Sequence, residues 1–497
     1  MSQQTKWSQF AVLISVFFFW GFVAASNDIL IPVFREKLHL EAWQGQMISF
    51  AFYVAYTIGS LIYFLISKAT GGDILNKLGY KNGIALGLFI SALGTLLFYP
   101  AAESQSFLIM ITGLFIVGLG FSLQQTAANP LAIVMGDPKT GSQRLSLAGG
   151  INNLGTTLGP VIVSLAIFGS VTGVKQVADI GAVKTPYLIL GAAFLVVAVI
   201  FKFSPIPNKI EHNEEIELDL DKSSEVAAKP MPPHGNGKSA LKYPQLWLGM
   251  IGIFIYVGVE VATASNLPQF MTEHLKDENG HAFPTESIAP WVSLYWASLM
   301  MGRWTSSVGA FGISAGVKSV LRFIMPYLAF GVFLLINKIA NHDITPFYIY
   351  AGIIVALIIG DLLSKGNPAR QLLIFSGFGM AGLIIGMLAD GWVSVYAFTS
   401  VGLFCSTLWP CIFTLAIAGL GQRTNEGASF LIMMIMGGGF ISLLQGWLAG
   451  PNVLGIQASF IVGVLCFAYL AFYAIRAKAI LKTQGIDYDK LESSGGH

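Results

Sequence analysis

Charge is what this sequence is short of. Only 11% of its 497 residues are Asp, Glu, Lys or Arg, while 54% are hydrophobic, and soluble domains carry about 25% charged residues. So apolar a chain cannot cover itself with polar groups in water, which excludes a soluble globular domain. The 28 basic and 26 acidic side chains nearly cancel, leaving a formal net charge of +2, and the basic ones are dispersed. The basic face that grips phosphates is missing, so no nucleic-acid partner is expected. Cysteine is scarcer still: Cys405, Cys411 and Cys466 lie inside apolar runs without CxxC or Cys/His spacing. That argues against a disulfide framework or a zinc site and leaves them as packing residues. No nucleophile, metal cluster or phosphate loop has adequate spacing, so neither an enzyme nor a cofactor is expected.

Long apolar runs are abundant. A membrane helix needs about 20 apolar residues, and lipid admits only helices or closed barrels, because every backbone polar group must be satisfied within the chain. No strand-like alternation is present. The first run, after Lys6, passes Ala24-Ala25-Ser26, a cleavage-like string, but continues to Phe34; an uncleaved span is expected rather than a secretory signal. Six spans precede the middle of the chain: Phe10 to Phe34, Gln46 to Ser67, Asn82 to Ala102, Phe107 to Val134, Leu145 to Val171 and Pro186 to Phe203. Residues 204–245 then carry Glu211, Glu214, Glu215, Glu217, Asp219 and Asp221, followed by Pro230, Pro232 and Pro233, a composition that cannot bury a core. Eight spans follow: Leu246 to Met271, Ile288 to Phe311, Val320 to Lys338, Pro346 to Leu363, Gln371 to Leu388, Val393 to Leu420, Ala428 to Ala449 and Gln457 to Ile475.

The expected organisation is therefore a bundle over 1–203, a linker over 204–245, a second bundle over 246–477 and a tail over 478–497. Most lysines and arginines fall on one side of this layout, among them Lys68, Lys77, Lys81, Lys139, Arg144, Lys318, Arg322, Lys365, Arg370 and Arg476. The positive-inside rule places both termini in the cytoplasm.

Polar groups within the spans carry the functional signal. A carboxylate at mid-membrane costs roughly 2.5–3.5 kcal/mol on insertion scales, so buried acids are few and usually functional. Asp28, beside Asn27, lies in the outer half of the first span, and Glu260 lies near the middle of the seventh. Neither has an obvious basic partner in the sequence, so each needs a proton, a cation or hydrogen bonds. Gln125 and Asn129 share a helical face four residues apart, and the adjacent amides Asn152 and Asn153 follow a glycine pair. Amides both donate and accept, which suits a ligand made of hydroxyls. In the second half Asn266, Tyr295, Trp296, Trp409 and Gln445 are candidates, an indole or phenol face suiting the apolar face of a sugar. The competing reading is structural: amides bond neighbouring helices, tryptophans anchor at interfaces, and Arg303 makes a packing contact near its helix end.

With these residues in view, the chain resembles the fucose-permease-like branch of the major facilitator superfamily, and within it bacterial glucose/galactose transporters. The strings that carry the likeness are NDILIPVF from Asn27, AFYVAY from Ala51, LGYKNGI from Leu78, TAANP from Thr126, RLSLAGGINNLG from Arg144, YVGVEVA from Tyr256, GRW from Gly302 and GASFLIMMIMGGG from Gly427. The resemblance implies an all-α fold of two six-helix bundles around a central cavity, with a sugar bound near the midplane. It gives Asp28 the role of proton-linked acid and Asn152 that of substrate-binding amide. Fucose permeases have a glutamate where this chain has Gln125, and an acid stands instead at Glu260, as in glucose/galactose transporters. Expected, then, is a monomeric import carrier for a hexose such as glucose, galactose, mannose or fucose, in a bacterial inner membrane, coupled to protons. A sodium-coupled or uncoupled sugar carrier, and a proton-coupled drug or lipid exporter, remain alternatives. The count of fourteen exceeds the family's twelve, and the additional pair is expected at about residues 320–363.

Overall fold

The structure, a computed structural model, describes residues 7–69, 75, 78–135, 141–168, 184–204, 206, 240–276, 281, 283–284, 287–308, 314–365, 367–420 and 424–489. Most of the linker read from the sequence, and the side chains of Asn27 and Asp28, lie outside the described residues. In the first half the helices are α1 (Trp7–Leu38), α2 (Ala42–Ala69), α3 (Tyr80–Leu96), α4 (Phe107–Val134), α5 (Gly141–Phe168) and α6 (Lys184–Phe203). In the second they are α7 (Pro244–His274), α8 (Ala289–Ser307), α9 (Ala315–Ile339), α10 (Tyr350–Ser364), α11 (Pro368–Leu388), α12 (Gly391–Cys405), α13 (Leu408–Ile417), α14 (Thr424–Met433), α15 (Gly437–Leu448) and α16 (Ile461–Thr483).

Among the described residues, twelve helices are long and apolar enough to cross a membrane. Two further long helices, α5 with 28 residues and α8 with 19, are less apolar, because they carry amides, hydroxyls, glycines and Arg303. The single run Val393 to Leu420 is interrupted at Ser406 and Thr407, where α12 ends and α13 begins. The run Ala428 to Ala449 passes through a 3₁₀ turn at Met434–Met436 just before three glycines. The last helix continues past Ile475 to Thr483, and the residues after it fold back: Asp489 meets Lys478 at 2.8 Å and Arg370 at 3.5 Å, and Gln484 exchanges hydrogen bonds with Gln245.

The packing repeats. In the first half α5 lies on α1, α4 on α2 and α3, and α6 on α3; in the second, α15 lies on α7, α12 on α8 and α11, and α16 on α11. Helices α9 and α10 have no counterpart in this scheme, α9 resting on α8 and α10 on α11 and α12. One apolar core is built from residues between Phe10 and Ile206 alone; the other draws mainly on the second half, with a few contributions such as Ala25 and Ile48. Large apolar side chains on the outer faces of α6, α9 and α10, including Phe203, Ile339 and Leu362, are exposed, as lipid contact requires.

Small residues set the tightest contacts. A methyl group added at Gly155 of α5 would lie 2.1 Å from the Phe18 carbonyl oxygen of α1, and one at Gly437 of α15 would lie 1.9 Å from that of Phe254 in α7. Helices in lipid gain no hydrophobic drive from one another, so such backbone-to-backbone approach supplies the dispersion energy that holds them.

Candidate functional site

The halves meet along two antiparallel seams. On the first, between α5 and α8, Ser293 donates to the Thr157 carbonyl at 2.6 Å, and Trp304 donates to the Gly150 carbonyl at 3.3 Å. Between them the Asn153 amide is oriented to donate to the Gly149 carbonyl at 3.0 Å and to accept from the Met300 amide at 3.2 Å. On the second, between α2 and the run from the end of α14 into α15, Thr57 donates to the Met433 carbonyl at 2.7 Å, Gly439 lies on Phe50, and Gly438 on Tyr53. Gln46 closes this seam by donating to the Ser265 carbonyl and to Asn266 Oδ1, both at 3.3 Å.

Glu260 sits between these seams on α7. Tyr295 of α8 donates to its backbone carbonyl at 2.7 Å. The Tyr256 hydroxyl, one turn earlier on α7, is buried beside the Glu260 carboxylate without completing a regular hydrogen bond. Arg303 lies within electrostatic reach of the same carboxylate, outside ion-pair contact, and its buried Nε has no hydrogen-bond partner. Its guanidinium borders Gly149, where an added methyl would come within 3.0 Å of it. The Trp409 ring stands 6.1 Å from that of Tyr256, and the Trp296 ring stands edge-on to Tyr295 at 5.5 Å. Glu260, Tyr295, Trp296 and Trp409 are thus gathered from α7, α8 and α13. The expectation that Glu260 has no basic partner is corrected by Arg303, because α8 carries that long side chain back toward the middle of α7.

The other candidates are placed differently. Gln125 donates to the Tyr56 hydroxyl at 3.3 Å; Tyr56 stacks at 6.3 Å on Tyr53, which reaches Gly438 and so adjoins Val261, the neighbour of Glu260. Asn152 donates to the Phe17 carbonyl of α1 at 2.9 Å, and Asn129 is half-buried. Asn266 is taken up by Gln46 and by the Ala262 carbonyl, and Gln445 by Ser459, so both act here as helix contacts. Elsewhere in the first half Trp20, Gln124 and Ser91 form an internal chain that ends on the Val117 carbonyl. Reasoning from sequence missed Tyr256 and Tyr53. For Tyr256 the signal was present in its four-residue spacing from Glu260.

The sequence profile of the Major Facilitator Superfamily matches residues 12–337. A glucose/galactose transporter of Brucella abortus biovar 1 (strain 9-941) is 31% identical over 463 residues, covering 93% of this chain and 92% of that protein. The L-fucose-proton symporter of Escherichia coli (strain K12) is 28% identical over 485 residues, covering 94% and 92%. A solved structure of the transporter FucP in the outward conformation is similar at a TM-score of 0.58 and 25% identity, covering 94% of this chain and 98% of that one.

Proposed function

Since the chain belongs to the Major Facilitator Superfamily, we propose that it imports a monosaccharide, a hexose of the glucose, galactose, mannose or fucose type, by proton-coupled symport through alternating access across a bacterial inner membrane. The names of its relatives support the sugar. Both termini face the cytoplasm in this reading, fourteen helices cross the membrane, and α9 and α10 are a pair inserted into the second half.

The observation that carries the reading is the cluster at Glu260. A carboxylate, a buried phenol and a guanidinium nitrogen stand together at the junction of the halves, and the last two lack protein partners. Unpaired polar atoms in a low-dielectric interior are costly, and a polyol supplies hydroxyls that donate to the carboxylate and accept from Arg303 while Trp409 covers a ring face. Because Arg303 compensates Glu260, that acid serves better as a sugar ligand than as an ion carrier. The coupling proton then falls to Asp28, on the strength of the family resemblance.

Alternating access needs two arrangements within a few kcal/mol of each other. The seams suit this, since each hydrogen bond across them contributes only about 1 kcal/mol and is replaceable by water. Moving one proton down 100 mV supplies about 2.3 kcal/mol, equivalent to roughly 50-fold accumulation.

The test is uptake of labelled glucose, galactose, mannose and fucose by proteoliposomes, with pH and sodium varied independently. Saturable accumulation driven by an inward proton gradient is expected, and Asp28→Asn abolishes it while sparing exchange. Full accumulation by that variant would remove the coupling role, and sugar-independent proton antiport would replace the carrier reading with an exporter.

A further inference from the structure

At the end of the bundle opposite the termini lies a cleft of about 940 Å³ that the proposed mechanism does not use. One wall comes from the start of α2, with Glu41 and Trp43; the other comes from the second half, with Gln269, Glu273, His274 and Trp447. We propose that this cleft is a second sugar-binding site, an outer loading site in which carboxylates and an amide take hydroxyls and the indoles cover ring faces. The inference rests on the carrier reading above and extends it to a second position on the path.

Its side chains are arranged for a neutral polyol rather than for lipid. Trp43 donates its indole nitrogen to Glu41 at 2.6 Å. An interfacial anchor offers that N–H to lipid headgroups, whereas here it is spent on fixing the ring beside a carboxylate. Gln269 donates to Glu273 at 2.8 Å, and His274 lies flat on Phe270 at 4.8 Å, so each group is held in place before a ligand arrives. Carboxylates, an amide and aromatic faces in one concave site are the donor set that recognises sugars.

The floor connects this cleft to the seam below. Gly446 lines it and packs directly on Gln46, where an added methyl would lie 2.5 Å from Cγ. Gln46 is the side chain that ties α2 to Ser265 and Asn266, and its Oε1 is buried without a partner. A sugar in the cleft therefore sits immediately above the contact that must part for it to move inward.

The experiment uses the full chain in nanodiscs with D-glucose and D-galactose as probes, reading tryptophan fluorescence, alongside proteoliposome uptake. In a Glu260→Gln background, sugar-dependent fluorescence persists and disappears when Trp43→Phe and Trp447→Phe are added. Glu273→Gln and Trp43→Phe, each alone, raise KM for uptake at least threefold with the maximal rate unchanged; Glu273→Gln retains both reporter indoles, and monodispersity checks its fold. If wild type transports either sugar while these variants keep its KM and the Glu260→Gln signal is absent, the loading site is overturned and the carrier reading stands. If wild type neither binds nor transports any hexose, the carrier reading fails first and takes the loading site with it.

Discussion

Replacing Gly155 with alanine tests whether backbone contact between α1 and α5 holds the first half together. The new methyl would stand 2.1 Å from the Phe18 carbonyl oxygen, 2.9 Å from the Phe22 nitrogen and 3.0 Å from the Phe18 carbonyl carbon, all backbone atoms that cannot swing aside. Ordinary contact therefore requires α1 to retreat by roughly 1 Å, an overpacking distortion that costs about 1–3 kcal/mol. The same retreat stretches the 2.9 Å bond from Asn152 to the Phe17 carbonyl, one turn away on α5. Losing it adds about 0.6–1 kcal/mol. Alanine's better helix propensity returns at most about 1 kcal/mol, so a net loss of about 1–3 kcal/mol is expected.

Gly331→Ala is the matched control, since no heavy atom lies within 4 Å of the position its methyl would take on α9. Reversible unfolding in mixed micelles, titrated with SDS, should show Gly155→Ala destabilised and Gly331→Ala unchanged or slightly stabilised. Transport should fall in the first variant as well, because α1 also carries Asp28. If Gly155→Ala matches the control in both assays, the close approach of α1 and α5 is not what the glycine is for.

Arg303→Met should leave Glu260 uncompensated, costing up to about 3 kcal/mol of unfolding free energy, and should abolish uptake. The double variant Glu260→Gln/Arg303→Met should regain stability but not uptake, and failure to regain it would separate the two groups. Gly438→Leu should arrest transport in a folded protein, because even a methyl there would meet Tyr53 and Val261 at 3.1 Å; wild-type turnover would mean the second seam does not move. For the C-terminal segment, the hydrogen bond from Lys478, helped by Arg370 and Lys482, holds the Asp489 carboxyl below its ordinary value. A depressed carboxyl contributes docking stability above its unfolded value and loses it as pH falls through the folded one. Protection of the amides at residues 484–489, measured against their intrinsic exchange rates, should therefore be high at neutral pH and fall below about pH 4. Asp489→Asn should show the lower protection at every pH.

Much of this architecture was legible because lipid turns hydropathy into geometry. The long runs became helices. What did not show was anything that depends on how separate helices meet. The interruption at Ser406 and Thr407 lies inside a continuous apolar run; Ser406 turns back to the Leu403 carbonyl there, where Gly302 of α8 approaches closely. Asn266 and Gln445 carry the same chemistry as Asn152, and only the positions of Gln46 and Ser459 distinguish helix contacts from candidate ligands. Arg303 stood at the end of its span in the sequence, and its reach toward Glu260 follows from a side chain that points back along α8 toward that helix's N-terminus.

The most informative feature of the sequence is the shortfall of apolar character in α5 and α8. In water such helices would be the surface ones. In lipid, a segment with Asn152, Asn153, Thr156 and Thr157, or with Ser293, Ser298 and Arg303, has to turn its polar groups toward protein, so these two helices must lie inward and face a partner. They face each other. Thr157 with Ser293, Asn153 with Met300, and then the adjacent pairs Gly150 with Trp304 and Gly149 with Arg303 succeed one another along the seam. Most of these contacts are single hydrogen bonds or small-residue approaches rather than interdigitated apolar side chains. A seam of that kind is weak enough to part and polar enough to be rewetted. Such a seam suits the alternating access proposed above, and Arg303, within electrostatic reach of Glu260, borders it at Gly149.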